Sequence, residues 1–444
     1  MVERTARPAL LLWYLLALPT VADAGDGGSD ADDNWGQWRG PLATGVAPRA
    51  DPPIEWSEDE NVRWKLATPG VGHSTPIVWG DRIFLTAAVP VGDALPPLPE
   101  TAPGAHDNSP VTHREAFVVL AIGRSEGEVL WQRTLREAVP HESAHVTGSY
   151  ASNSPATDGE LVYAFFGSRG LYALDMDGAV VWALDLGEMQ TKHAHGEGSS
   201  PVLYGDTLVV NWDHEGDSFV VALDKRTGKE RWRRERDEVT SWATPIVVEH
   251  DGKRQLIVSG SQRVRAYDLA TGETLWECGG LSRNVVASPV AGGGMVFAGS
   301  SYDRQALLAI RIAGARGDIS RAEQVVWTRR RGTPYVPSPL LYEDTLYFLH
   351  HYQAILSRVE AATGDEPEKP LRLAGIRDVY ASPVAASGRV YVVGRNGTTI
   401  VLRHGDSKIL ARNHLEDTFD ASPALIGQDL ILRGERFLYC IAAE

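Results

Sequence analysis

Residues 222–232 read ALDKRTGKERW. The phrase returns as AYDLATGETLW at residues 266–276 and as ALDMDGAVVW at residues 173–182. A phrase recurring at a fixed interval is the mark of a repeat architecture, and this decides the fold before any single motif can. Each copy is an apolar strand, a tight turn and a second strand ending in Trp. Gly178, Gly228 and Gly272, with Gly127 and Gly364 in two looser copies, supply the positive φ that such a turn needs. Asp175, Asp224 and Asp268 are placed to accept hydrogen bonds from amides of the same turn. The Trp is expected to fill the apolar space between neighbouring sheets, where a large ring buries much area.

Working outward from the phrase, a Ser/Thr-Pro pair precedes a short apolar strand eight times, at Pro76, Pro155, Pro201, Pro245, Pro289, Pro339, Pro383 and Pro423. The intervals after the second are 46, 44, 44, 50, 44 and 40 residues; the first, 79, carries insertions. Each unit reads as four short strands, and four-stranded units of this length are propeller blades. The fold expected is all-β: an eight-bladed β-propeller of four-stranded antiparallel blades. The eighth unit ends after its third strand. Residues 60–70, ENVRWKLATPG, hold Trp64 where other fourth strands hold Trp, so this N-terminal segment is expected to donate the missing strand and close the ring. Blades six and seven lack the Trp (KPLRL, KILARN).

The chain has 444 residues, 43% of them hydrophobic, and a net charge of −15. That charge repels a phosphate backbone, which argues against nucleic acid as a partner. Arg4 and Arg7 followed by ALLLWYLLALPTV and VADA read as a secretory signal ending at Ala24; the apolar stretch is too short to cross a bilayer. The expected layout is a signal peptide at 1–24, an extension at 25–59 and the propeller at 60–444. No cysteine stands at the cleavage site, so the exported chain is expected in the periplasm or medium without a lipid anchor, as a monomer that does not span the membrane. Cys278 and Cys440 fall in blades on opposite sides of the ring and are expected to be free thiols.

In a four-stranded blade, the loop before strand one and the loop between strands two and three share one face, here called the top. The largest insertions are top loops: residues 89–116 and 136–152. Eleven of the 13 histidines also map there; His250 and His404 map to the bottom. Residues just before the Ser/Thr-Pro pairs should ring the central funnel: His73, Asn153, Glu197, Trp242, Arg283, Asn284, Tyr335, Tyr380 and Asp420. Their mix of rings, amides and carboxylates suits a small polar ligand or a saccharide. In KHAHGEG, the alternation of His193, His195 and Glu197 puts all three on one side of an extended segment, the start of a transition-metal site that His73 or His145 would complete. Glu197, Asp378 and Asp420 offer oxygens that would suit calcium. DHEGD, at residues 213–217, reads as a solvated hairpin loop. The sequence contains no nucleophile elbow, phosphate loop or His-Glu-x-x-His motif.

The Gly-turn–Trp phrases, with WGQWRGP, GHSTPIVWGDRIFLTAA, GEGSSPVLYGD and SWATPIVV, resemble pyrroloquinoline-quinone-type propeller repeats over nearly the whole chain from Trp35 onward. That superfamily includes quinoprotein alcohol dehydrogenases and the propeller subunit of the outer-membrane β-barrel assembly machinery. Beside a third reading taken from the residues themselves, a carbohydrate- or metal-binding propeller, the resemblance implies two functions. One is a non-enzymatic binding or assembly scaffold of the cell envelope, with no cofactor and with an envelope protein or a small polar or saccharide ligand at the top face. The other is an oxidoreductase binding pyrroloquinoline quinone and calcium, in which Arg283 and Trp242 would serve as cation and platform and Glu197 and Asp420 as metal ligands. The adjacent cysteine pair that known quinone dehydrogenases place beside the quinone is absent here, and the scaffold is the reading preferred.

Overall fold

The computed structural model describes residues 33–406 and 408–443. The expected signal peptide at 1–24 and the start of the expected extension at 25–59 lie outside the described residues. The chain forms eight four-stranded antiparallel sheets arranged as propeller blades, and no α-helix occurs among the described residues. Blade three is typical. Its strands are Val202–Tyr204, Thr207–Trp212, Phe219–Asp224 and Glu230–Glu235, and each pairs with the next in chain order. Burial falls from the second and third strands, which face neighbouring blades on both sides, to the outermost, where polar residues flank Trp232. The second and third strands accordingly read as near-continuous apolar runs. Blade four carries a fifth strand, Gly317–Asp318, parallel to the middle of its outermost strand at Trp276 and Glu277.

The last blade contains Ala424–Ile426, Asp429–Arg433 and Phe437–Ala442, and its outermost strand is Val62–Ala67 from the other end of the chain, with Trp64 opposite Cys440. Both cysteines are buried free thiols.

The recurring phrase acts between blades as well as within them. Trp182 of blade two donates its indole N–H to Lys225 O of blade three at 2.9 Å, and Trp232 of blade three donates to Leu269 O of blade four at 2.9 Å. Trp131 and Trp327 do the same to Met176 O and Ala361 O. Trp64 does it to Arg124 O of blade one at 2.8 Å. In each case the indole lies against the turn glycine of the receiving blade. A Cβ at Gly228 would stand 2.8 Å from the Trp182 ring, and one at Gly127 would stand 2.5 Å from the Trp64 ring. The turn thus needs glycine twice, for a φ of +68° at Gly228 and for the space the neighbouring indole takes. Trp276 departs from the pattern: its N–H goes to Gln255 of its own blade.

The Ser/Thr of the repeated pairs forms a second interblade device, a hydroxyl belt around the axis. The amide of Thr75 donates to Ser154 Oγ, Ser154 to Ser200, Ser200 to Thr244 and Thr244 to Ser288, each at 2.9–3.0 Å. Ser288 donates to Ser338, Ser338 to Ser382 and Ser382 to Ser422, each at 2.9 Å. Between blades eight and one, buried Arg433 donates to Ser74 Oγ at 2.5 Å.

Candidate functional site

The bottom of the axis is closed by residues 33–59. This strap starts on blade one, where Trp35 bridges Val78, and passes blades two and three through Gly36 O and Gln37 Oε1. Trp38 then donates to Ser288 Oγ of the belt at 3.2 Å. Arg39 lies buried under blades six and seven and donates to Pro339 O at 2.9 Å and Pro383 O at 2.6 Å. Burial holds its guanidinium down at about 9. Beyond it Val46 bridges Ala385, and Asn413 holds the strap beside buried Trp56. The motif WGQWRGP is therefore the floor of the funnel. Two tryptophans and an arginine within five residues of a loop were the signal for it, and the repeat pattern alone does not contain it.

Above the floor opens a cavity of about 730 Å³, widening to the top face. Its lower wall is the hydroxyl belt, with Ser154, Ser200, Thr244, Ser288, Ser338, Ser382 and Ser422 all lining it. Of the nine funnel positions expected from sequence, His73, Glu197, Trp242, Asn284, Tyr335, Tyr380 and Asp420 line this cavity. Two lie elsewhere. Asn153 turns into the blade and donates to Ser199 O at 2.6 Å. The Arg283 side chain is 72% exposed and faces Asp303 on the outer surface.

The upper wall has two unlike halves. Blades five to seven contribute an aromatic arc, in which Tyr335 is 6.1 Å from Tyr302 and 4.5 Å from His351, and Tyr352 is 5.7 Å from Tyr380. These centroid separations are those of favourable ring pairs. Arg395 stacks over Tyr380 at 4.7 Å and grips Asp420 through both carboxylate oxygens. Blades one to three contribute imidazoles. His195 stands 4.8 Å from His145, 5.0 Å from His106 and 5.4 Å from His193, ring to ring. Trp242, between the halves, is fixed by its N–H to Gly196 O at 2.7 Å.

The expected alternation of His193, His195 and Glu197 fails for a local reason. Lys192–Ala194 is a 3-10 turn, and His193 and Ala194 have φ of +59° and +53°, so the segment is not extended. His193 and His195 go up to the imidazole cluster. Glu197 goes the other way, and its carboxylate accepts from the Ser168 hydroxyl and from the Ser168 amide at 2.7 Å. Gly167 makes the room: its φ is +52°, and any Cβ there would overlap the carboxylate. Burial pushes the Glu197 carboxyl up to about 7, against the opposing hydrogen bonds from Ser168. Burial likewise pushes His73 down to about 4 despite the nearby Asp420. Among the described residues, no group of three or more His, Cys, Asp or Glu side chains stands ready to hold a metal ion.

The residues assigned to quinone and calcium do not gather either. Arg283 is outside, Asp378 is exposed and away from the cavity lining, Glu197 is bonded to Ser168, and Asp420 is held by Arg395. The loop at residues 213–217 is not solvated throughout. Asp213 is fully buried, with Arg236 at 2.7 Å and Ser241 at 2.6 Å, a paired charge that tolerates burial because its hydrogen bonds are filled.

Comparison with known proteins agrees with this architecture. The crystal structure of BamB from Moraxella catarrhalis superposes with a TM-score of 0.50 at 16% identity, covering 80% of this chain and all of that one. Quinohemoprotein alcohol dehydrogenase from Comamonas testosteroni gives a TM-score of 0.61 at 9% identity, covering 94% of this chain and 82% of that one. At these identities the likeness is one of fold. No curated protein sequence matches the chain. The family model described as outer membrane protein assembly factor BamB matches residues 46–210, 93–309 and 216–441. With the blades, the docking tryptophans and that match together, the chain belongs to the BamB family of β-propellers.

Proposed function

We propose that this protein is an exported, non-enzymatic binding scaffold of the cell envelope, which receives a segment of a partner protein at the mouth of the funnel. The observation that carries the reading is the asymmetry of the axis: the funnel is sealed below by Trp38 and Arg39 and opens only upward, into a wall of rings. Exposed apolar side chains support it. Val71, Leu98, Val146, Val239 and Tyr302 are all exposed on top loops, and Val146 and Tyr302 also line the cavity. Apolar side chains around a rigid concavity mark sites of protein contact. The family match to an assembly factor points the same way. No helix among the described residues is long and apolar enough to cross a membrane. On this reading the chain works in the periplasm as a monomer without a lipid anchor.

The aromatic arc favours a second occupant, a saccharide, because Tyr335 and Tyr352 offer ring faces and the belt offers hydroxyls. The oxidoreductase reading has less support, since bound pyrroloquinoline quinone needs cations for its carboxylates and a divalent ion, and the residues that would supply them are dispersed or already paired. Calorimetric titration of the mature protein with the quinone and calcium decides between the classes. The scaffold reading expects no stoichiometric heat. One-to-one binding lost in Glu197→Ala or Trp242→Ala would replace it with the oxidoreductase.

A further inference from the structure

The imidazole half of the mouth is built by a flap. Residues 92–113, inserted between the second and third strands of blade one, fold over blades two and three, and Asn108–Ser109 pairs with Ala144–His145. Asn108 Nδ2 donates to His193 O at 2.8 Å, and Asp107 O accepts from the Val146 amide at 2.8 Å. The flap thereby carries His106 to within 4.7 Å of His193 and 5.0 Å of His195, ring to ring. Assembling these rings uses unfavourable backbone. Asp107, His193 and Ala194 have φ of +54°, +59° and +53°, left-handed values that a non-glycine residue holds only where its surroundings fix them.

The hydrogen bonds of the three rings leave one nitrogen free on each. His106 Nδ1 is 2.8 Å from Gly104 O, His193 Nδ1 is 3.3 Å from Pro103 O, and His195 Nε2 is 3.1 Å from His106 O. A carbonyl can only accept, so each of these nitrogens carries the hydrogen. The opposite nitrogens, His106 Nε2, His193 Nε2 and His195 Nδ1, then keep their lone pairs. Backbone carbonyls holding one ring nitrogen so that the other can ligate is the outer-shell pattern of metal-binding histidines. His145 differs: its Nδ1 accepts from the Thr147 amide at 3.2 Å, which puts the ring hydrogen on Nε2.

The spacing also fits. Three imidazoles on one tetrahedral ion, with nitrogens about 2.0–2.1 Å from it, have centroids about 3.2 Å from the ion and about 5.2 Å from one another. The separations here are 4.7, 5.0 and 5.4 Å. Among the described residues no three side chains stand ready for an ion, so binding requires the rings to reorient.

We propose that His106, His193 and His195 bind one borderline divalent transition-metal ion, of the zinc class, which pins the flap across blades two and three. All three residues line the cavity, so an ion held there would stand at its wall. Three neutral nitrogen ligands select such ions over calcium or magnesium, which take oxygen ligands.

The test is titration of the full mature chain, stripped with a chelator, using Zn2+ by calorimetry and Co2+ by visible absorption. The expected result is one ion per chain and the visible bands of tetrahedral Co2+. Affinity should fall at least about a hundredfold in His106→Ala and His193→Ala, since losing even an outer-shell partner costs up to that much. His145→Ala should keep the wild-type affinity. His106 is exposed, so His106→Ala should melt with the metal-free parent, which separates loss of a ligand from loss of fold. Failure of the wild type to take up a stoichiometric ion at micromolar concentration, or equal uptake by His106→Ala, overturns the assignment.

Discussion

The two ends of the propeller axis are built by opposite means. The floor is a single strap, threaded across the bottom of the ring from blade one to blade eight and fixed by backbone bridges, buried tryptophans and the buried Arg39. The mouth is a collection of unrelated loops from around the ring, whose side chains meet only because the ring brings them together. The floor therefore supplies stability and the mouth is free to supply recognition, the usual division between a rigid scaffold and the loops it carries.

Removing the floor is the largest test of this division. A chain beginning at residue 71 loses the strap, the outer strand of the last blade and the Trp64 contact with Gly127. It leaves Phe437–Ala442 as an open edge, which invites pairing between molecules. The expected outcome is aggregation or a fall in melting temperature of more than about 10 °C. A truncated monomer that melts with the untruncated protein would mean that the floor is dispensable and the comparison false.

A pair of glycine substitutions sharpens the account of how blades lock. Gly205 has φ +56° and open space around its absent Cβ, whereas Gly228 has φ +68° and the Trp182 ring at 2.8 Å. Gly205→Ala should cost about 1 kcal/mol, from backbone strain alone. Gly228→Ala should cost a further 1–3 kcal/mol or so, because a packed ring has to move. Equal costs in denaturant melts would show that the Trp–Gly contact holds nothing.

The mouth should respond to pH in two opposed ways, and this is a smaller effect. The Glu197 carboxyl sits at about 7, above its unfolded value. Its contribution to stability is complete below the ordinary carboxylate range and is lost as pH rises towards 7. His73 and His195 sit at about 4, chiefly through burial, below the ordinary imidazole value. Their contribution is complete above about 6.5 and is lost as pH falls towards 4. Glu197→Gln should flatten the first loss and His195→Gln the second, each by on the order of 1–2 kcal/mol in stability measured across pH 4–7. A stability curve unchanged in both variants would remove these groups from the energetics of the mouth.

The same division explains what could be read from the sequence. Blade number, strand order and the docking phrase were legible because a repeat states its local rule many times over. The Ser/Thr-Pro pairs marked the register, although the hydroxyl belt they form needs neighbouring blades to be seen. The two tryptophans and the arginine of WGQWRGP marked the strap, but its course was not legible, since its partners, Val78, Ser288, Pro383 and Ala385, lie up to 344 residues away. Residues that end in the funnel were largely found by their position before each pair. Directions failed where a single turn set them: the left-handed backbone at His193 and Ala194 separates Glu197 from its two histidines, and no periodic pattern encodes that turn.

The most direct test of the claim that this protein works through its mouth is site-specific photo-crosslinking in the envelope of the native host. The photoreactive residue is placed at Val146 or Tyr302 on the top face, and at Leu42 or Gly205 on the bottom. Val146, Tyr302 and Leu42 are exposed, and Gly205 has open space beside it. The account predicts a discrete adduct from both top positions, lost when Tyr335→Ala is added, and none from the bottom. Adducts from the bottom positions alone, or from both faces alike, would contradict it.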